Sequence, residues 1–295
     1  MENESNGKEL QRSAKVSKDV STSIVVRGLD DLAFLVEHTA AEFFVQNANA
    51  CYKSEDFHQA IIYFRQAIKL DPQNAEAQFM MGTMYHMGEG LPQDYAEAAE
   101  WYRMAAEQGN AEAQNDLGGM YASGQGVAQD YAEAAKWFCK AAEQGNAEAQ
   151  FRLGWMYQAG EGVQQNYFEA VKWYQKAAEQ GHADAQNNLG LMYHEGHGVP
   201  KNYAEAVKWF RIAAEQGYAQ AQYNLGVMYH VGEGLPQDYV LSHRWSNLAA
   251  AQGYADAQKL RDWLAEHMTP AQIAEVQRLA GVEPEKEKLG LAELV

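Results

Sequence analysis

Tyr95, Tyr131, Tyr167, Tyr203 and Tyr239 stand 36 residues apart, and Trp101, Trp137, Trp173, Trp209 and Trp245 keep the same step. So do Gly109, Gly145, Gly181, Gly217 and Gly253. A fixed period of this length is the signature of a solenoid, in which each unit buries its apolar face on its neighbours and one core grows along the chain. A length of 295 residues would otherwise suggest one or two ordinary domains. The period replaces that expectation with a single stacked array.

The units divide as 75–110, 111–146, 147–182, 183–218 and 219–254. In each, the pattern AxAQxxLGxMY places Ala113, Leu117, Gly118 and Tyr121, or their equivalents, on one face at helical spacing. A mid-helix Gly costs roughly 1 kcal/mol against Ala, so Gly82, Gly118, Gly154, Gly190 and Gly226 require a packing reason: close approach of a neighbouring helix. A loop follows (GEGLPQD, GQGVAQD, GEGVQQN, GHGVPKN, GEGLPQD), whose first Gly suits the left-handed end of a helix. Asp94, Asp130, Asn166, Asn202 and Asp238 are then expected to cap a second helix. Glu97, Glu133, Glu169 and Glu205, three residues on, complete a capping-box pattern that Leu241 breaks in the fifth unit. Asn110 and Asn146 are placed to cap the next first helix.

The recurring elements AxAQxxLGxMYxxGxGV and AxxWxxxAAxxG closely resemble the Sel-1-like repeat family, a relative of the tetratricopeptide repeat with a longer loop between its helices. The resemblance spans 75–254 and implies an all-α fold, an α-α superhelical solenoid of antiparallel helix pairs, right-handed, with first helices on the concave wall. The fifth copy departs, with VLSHRWSNLAAAQG replacing AEAVKWFRIAAEQG; a terminal unit no longer buries two faces. Residues 41–74 resemble a tetratricopeptide repeat through Ala60, Phe64, Ala67 and Pro72, with Ala48 at the small position of the first helix and Asn47 where Leu is usual. Before it, 24–40 is expected to form an N-terminal extension or capping helix, and 1–23 a disordered arm, being poor in large apolar groups. After the repeats, 255–282 is expected to hold capping helices, with Thr269, Pro270 and Gln272 forming a helix start. Residues 283–295 are expected to form a flexible tail.

Composition narrows the function classes. The formal net charge is −17, which disfavours nucleic acid and anionic membranes, since both require Lys/Arg footprints. Residues 75–110 carry Glu76, Glu89, Asp94, Glu97, Glu100 and Glu107 against Arg103 alone. A solvated acidic face and a docking surface for a basic partner both fit that imbalance. Cys51 and Cys139 lie in different units and make no disulfide framework. Residues 1–23 lack the apolar core of a secretory signal, and no stretch approaches the ~18 apolar residues of a membrane span. A cytoplasmic protein is expected, with export by a route that leaves no apolar signal left open.

No pattern points to catalysis or to a metal or cofactor. The GxG loops recur once per unit without the following Gly-Lys-Ser/Thr of a phosphate cradle. His194-Glu195-Gly196-His197 crosses a helix end rather than occupying one helical face. Cys139 sits among packing residues and Cys51 ends a first helix.

If the units stack as the resemblance implies, positions three before, one after and four after the small residue face the concave groove. These are Val45, Phe79, Asn115, Phe151, Asn187 and Tyr223; then Asn49, Thr83, Gly119, Trp155, Leu191 and Val227; then Tyr52, His86, Ala122, Gln158, His194 and His230. They vary while the framework repeats. Aromatics mixed with Asn, Gln and His suit a peptide-binding surface, and Asn115 and Asn187 could bond an extended backbone. Phe151, Trp155, Asn187, Leu191 and Tyr223 are expected to form one continuous patch. The expected function is a non-catalytic, monomeric scaffold or adaptor for a protein or peptide. The resemblance implies roles in complex assembly and signalling, often in bacteria and sometimes at the host interface. Two alternatives are an enzyme of the cysteine-rich subgroup linked to β-lactams, whose paired cysteines this chain lacks, and a regulatory subunit of an enzyme complex.

Overall fold

The computed structural model describes residues 29–280. The expected disordered arm at 1–23, the start of the N-terminal extension and the tail at 283–295 lie outside them. Among the described residues there are fourteen helices and no strand. Two compact units are distinguished, divided after Asn74.

The first unit is a helix pair, α1 (Leu29–Lys53) and α2 (Phe57–Leu70). No Gly or Pro interrupts LDDLAFLVEHTAAEFFVQNANACYK, so 29–40 continue into the first helix of the pair rather than forming a separate element. Asp56 caps α2 by accepting from the Gln59 N–H. Ala41, Val45 and Ala48 of α1 are buried, as are Ala60, Phe64 and Ala67 of α2. His38 Nδ1 lies 3.0 Å from Asp71 Oδ2, tying the N-terminal half of α1 to the C-cap of α2.

The second unit repeats one pair five times. The first helices are α3 (Ala75–Met87), α5 (Ala111–Ser123), α7 (Ala147–Ala159), α9 (Ala183–Glu195) and α11 (Ala219–Val231). Their partners are α4 (Tyr95–Glu107), α6 (Tyr131–Glu143), α8 (Tyr167–Glu179), α10 (Tyr203–Glu215) and α12 (Tyr239–Ala251), followed by α13 (Ala255–His267) and α14 (Pro270–Ala280). From α3 to α13 every helix packs on the next, and α14 folds back onto α12.

The third pair shows why the sequence folds this way. A Cβ at Gly154 would lie 2.7 Å from a ring carbon of Tyr174, so only Gly lets α8 seat its aromatic on α7. Tyr102, Phe138 and Phe210 occupy the same place over Gly82, Gly118 and Gly190. Helix α7 ends at Gly160 in the left-handed conformation, its N–H returned to Met156 O. Asn166 then caps α8, its Oδ1 accepting from the Phe168 and Glu169 N–H groups.

The capping box is not closed, however. The Asn166 N–H donates to Tyr157 O across the loop at 2.9 Å, so no donor remains for the Glu169 carboxylate. That carboxylate pairs with Lys172 instead, and Glu133 and Glu205 pair with Lys136 and Lys208. Among the described residues both reciprocal bonds form only between Thr269 and Gln272, at the start of α14. Asp130→Ala is therefore expected to cost about 1 kcal/mol by loss of the cap. Glu133→Ala, which removes one exposed pair, should cost less than about 0.5 kcal/mol. Urea denaturation of the two variants checks the order.

Successive pairs are joined by tryptophan and glutamine. Trp173 of α8 is buried among Ala134, Phe138, Leu153 and Met156, and Trp137 of α6 joins the core formed by Tyr102 and Leu117. Trp101, Trp209 and Trp245 are half-buried. Gln144 Nε2 donates to Gln114 Oε1 at 2.7 Å, and Gln114 Nε2 donates to Ala106 O at 2.9 Å. Gln180–Gln150, Gln216–Gln186 and Gln252–Gln222 repeat the link. The departures of the fifth copy also have a place: Gly226 meets Ser246 rather than an aromatic ring, and Ser242 Oγ donates to Gly226 O.

Candidate partner-binding face

The first helices carry the variable residues, and the structure places them unequally. Phe79 is half-buried with its ring 5.7 Å from that of Tyr102. Thr83 Oγ1 donates to Phe79 O. His86 packs edge-on to Tyr95 at 5.3 Å. Asn115 Nδ2 donates to Asp116 Oδ1, while its buried Oδ1 has no hydrogen-bond partner. Gln158 Oε1 accepts from the Tyr174 hydroxyl at 2.7 Å. His194 Nε2 lies 3.0 Å from Glu233, whereas His197 turns to Glu195. Leu191 and Val227 are half-buried. His230 stacks on Tyr239 and meets Trp263 edge-on.

One of the sequence expectations changes here. Asn187 is 0% exposed; its Oδ1 accepts from Asn224 Nδ2 at 2.8 Å, so it links α9 to α11 instead of offering an amide to a ligand. Tyr223 packs on Tyr254, ring centroids 5.2 Å apart. Phe151 and Trp155 do come together. With Ala122, Tyr131, Phe138, Arg152 and Met156 they line an open, largely apolar cavity of about 240 Å³. Trp155 is 43% exposed at this cavity, and Phe151 stacks on His182 with centroids 4.7 Å apart.

The groove positions read from the sequence include Ala122, but sequence reasoning did not anticipate Tyr131, Arg152 or Met156 as lining residues. One signal was present: Arg152 is the only Lys or Arg on the five first helices, against Glu76, Glu112, Asp116, Glu148, Asp184 and Glu195. Its Nε lies 2.6 Å from Glu148 Oε1. Glu148 also receives His182 at 2.9 Å, and chiefly that bond, helped by Arg152, lowers the Glu148 pKa. A carboxylate with a folded-state pKa below its unfolded value stabilises the fold above the unfolded pKa of about 4.3. That contribution disappears as pH falls through the lowered pKa. Glu148→Gln should therefore flatten the loss of melting temperature below about pH 4.3 relative to the parent chain; a parallel acid limb in the two proteins would assign the acid sensitivity elsewhere.

Burial, followed by the neighbouring Glu143, pushes the Cys139 thiol up, away from the thiolate that nucleophilic chemistry needs. No described helix is long and apolar enough to cross a membrane.

Antiparallel helix pairs stacked at a constant 36-residue step define an α-α solenoid of the helical-repeat class. The Sel1 repeat profile matches residues 75–110, 111–146, 147–182, 183–218 and 219–254, and the tetratricopeptide repeat profile matches 41–74. The chain belongs to the Sel1 repeat family. It is similar to a Sel1 repeat protein from Oxalobacter formigenes, with 32% identity over 82% of this chain and 98% of that one, at a TM-score of 0.70. It is also similar to a protective antigen present in uropathogenic Escherichia coli strains displaying an SLR fold, with 37% identity over 85% of this chain and a TM-score of 0.75. The matched region is 55% of that antigen's length. No curated protein matches the chain.

Proposed function

We propose that the chain is a non-catalytic, monomeric scaffold that holds a protein or peptide along the wall formed by α3, α5, α7, α9 and α11. The observation that carries this reading is Trp155. It is a large aromatic residue left 43% exposed beside an apolar cavity, on a face whose framework residues otherwise repeat. Exposed aromatics beside pockets are the side chains that anchor interfaces, where truncation often costs about 2 kcal/mol or more. The acidic balance of the first helices argues against a nucleic-acid ligand. The β-lactam reading has no paired cysteines to rest on, since Cys51 and Cys139 are separate and free. A regulatory subunit would use the same wall.

The test uses affinity capture on the full chain, followed by titration calorimetry with the captured protein. Trp155→Ala combined with Tyr223→Ala is expected to abolish binding with helicity retained by circular dichroism. Lys172→Ala combined with Lys208→Ala, which alters exposed lysines of the second helices, should leave the affinity unchanged. Normal affinity in the Trp155/Tyr223 variant would remove the first-helix wall as the binding face.

A further inference from the structure

We infer that the cavity between the second and third Sel1 units is an anchor pocket for one large apolar side chain of a partner segment, and that Lys or Arg residues flank this anchor in the partner. The inference rests on the proposed binding face and specifies its ligand.

The shape argument comes first. Ligand pockets for drug-sized molecules run to about 300–1,000 Å³. At about 240 Å³ this cavity is smaller, and it suits a single tryptophan, phenylalanine, leucine or methionine side chain. Its walls come from two units. Ala122 on α5 is the small residue that leaves the space open, and Phe151, Trp155 and Met156 on α7 supply apolar surface opposite. The positions equivalent to Ala122 in the other units are His86, Gln158, His194 and His230. Those equivalent to Trp155 are Thr83, Gly119, Leu191 and Val227. No other pair of adjacent units combines the small residue with the exposed tryptophan.

Charge sets the flanks. From 75 to 182 the chain carries fifteen Asp and Glu residues against six Lys and Arg. Five of the six cations lie on second helices. Lys136 and Lys172 pair with Glu133 and Glu169, and Lys140 and Lys176 sit on the rings of Trp137 and Trp173. Arg103, also on a second helix, pairs with Glu100. Arg152 remains at the pocket, and Glu148 holds its guanidinium. The two first helices that meet at the pocket, α5 and α7, carry Glu112, Asp116 and Glu148 against Arg152 alone, so the wall is net acidic and a cationic segment complements it. An acidic partner would meet like charge.

The experiment selects binders from a phage-displayed library of random peptides on the immobilised full chain. The enriched peptides are then measured by fluorescence anisotropy against purified variants. Enriched sequences are expected to share one large apolar residue with Lys or Arg beside it, to weaken as salt rises, and to lose binding when the basic residues become Glu. Trp155→Ala, which removes one wall, and Ala122→Phe, which fills the space, should each weaken binding by about tenfold or more. Circular dichroism confirms that each variant is folded. Absence of enrichment, enrichment of acidic or uncharged peptides, or unchanged affinity in both folded variants overturns the inference. If peptides respond to Tyr223→Ala but not to the two pocket variants, the pocket fails and the binding face stands. If they respond to no change on the first helices, both fail.

Discussion

Trp173→Ala is expected to be the most damaging large-to-small change in the second unit, at about 3–5 kcal/mol. Trp173 is 7% exposed. It belongs to the second helix of the third pair but packs into the core of the second, against Ala134, Phe138 and Leu153. Its removal leaves a cavity between pairs rather than within one, and the alanines around it are too short to collapse into the space. The Lys176 ammonium, 4.0 Å from the ring centroid, also loses its cation–π partner. In a stacked array stability is the sum of unit and interface contributions. The loss should therefore appear as earlier opening at the junction of α6, α7 and α8. Guanidinium denaturation gives the total, and hydrogen exchange locates it. A cost below that of Asp130→Ala would mean that the junction does not depend on the tryptophan.

Gly162→Ala is expected to cost about 3 kcal/mol or more, from two separate causes. Gly162 has φ +70°, where an L side chain meets the following carbonyl. An added Cβ would also lie 2.1 Å from Tyr131 O, and a backbone carbonyl at the start of α6 cannot turn aside as a side chain can. Gly181 separates the two effects. Its φ is +93° but a Cβ there meets nothing within 4 Å, so Gly181→Ala should cost only the conformational share, about 1–2 kcal/mol. Melting temperatures of the two variants distinguish them. Equal losses would show that the loop can lift from Tyr131 and that the contact between units contributes nothing.

The second glycine of four of the five GxG loops thus does more than allow a turn. Gly126, Gly162, Gly198 and Gly234 all bring the loop of one pair against the first backbone carbonyl of the preceding second helix. The loop, the tryptophan and the glutamine ladder are three contacts between the same neighbours. One sequence period suffices to specify all three, because the neighbour in space is the neighbour in sequence.

That property explains what the sequence by itself determined. Helix pairs, their N-caps at Asp94, Asp130, Asn166, Asn202 and Asp238, and the close-packing role of Gly154 depend on residues within one period, so 36-residue self-similarity made them legible. The capping box failed because Tyr157 O, nine residues before Asn166, takes the N–H that Glu169 would have accepted. The face of first helices was legible as a set of columns, but the fate of each member was not. Asn115 and Asn187 share a column; Asn187 is buried by a bond from Asn224, whereas Asn115 keeps an oxygen without a partner. The cavity was invisible in any single column. It exists because a small residue in one unit, Ala122, lies across from Phe151 and Trp155 in the next. A repeat fixes which columns meet; only the packed tertiary structure decides which irregular residues in those columns leave space and which fill it, because that depends on side-chain volumes and bonds between adjacent units.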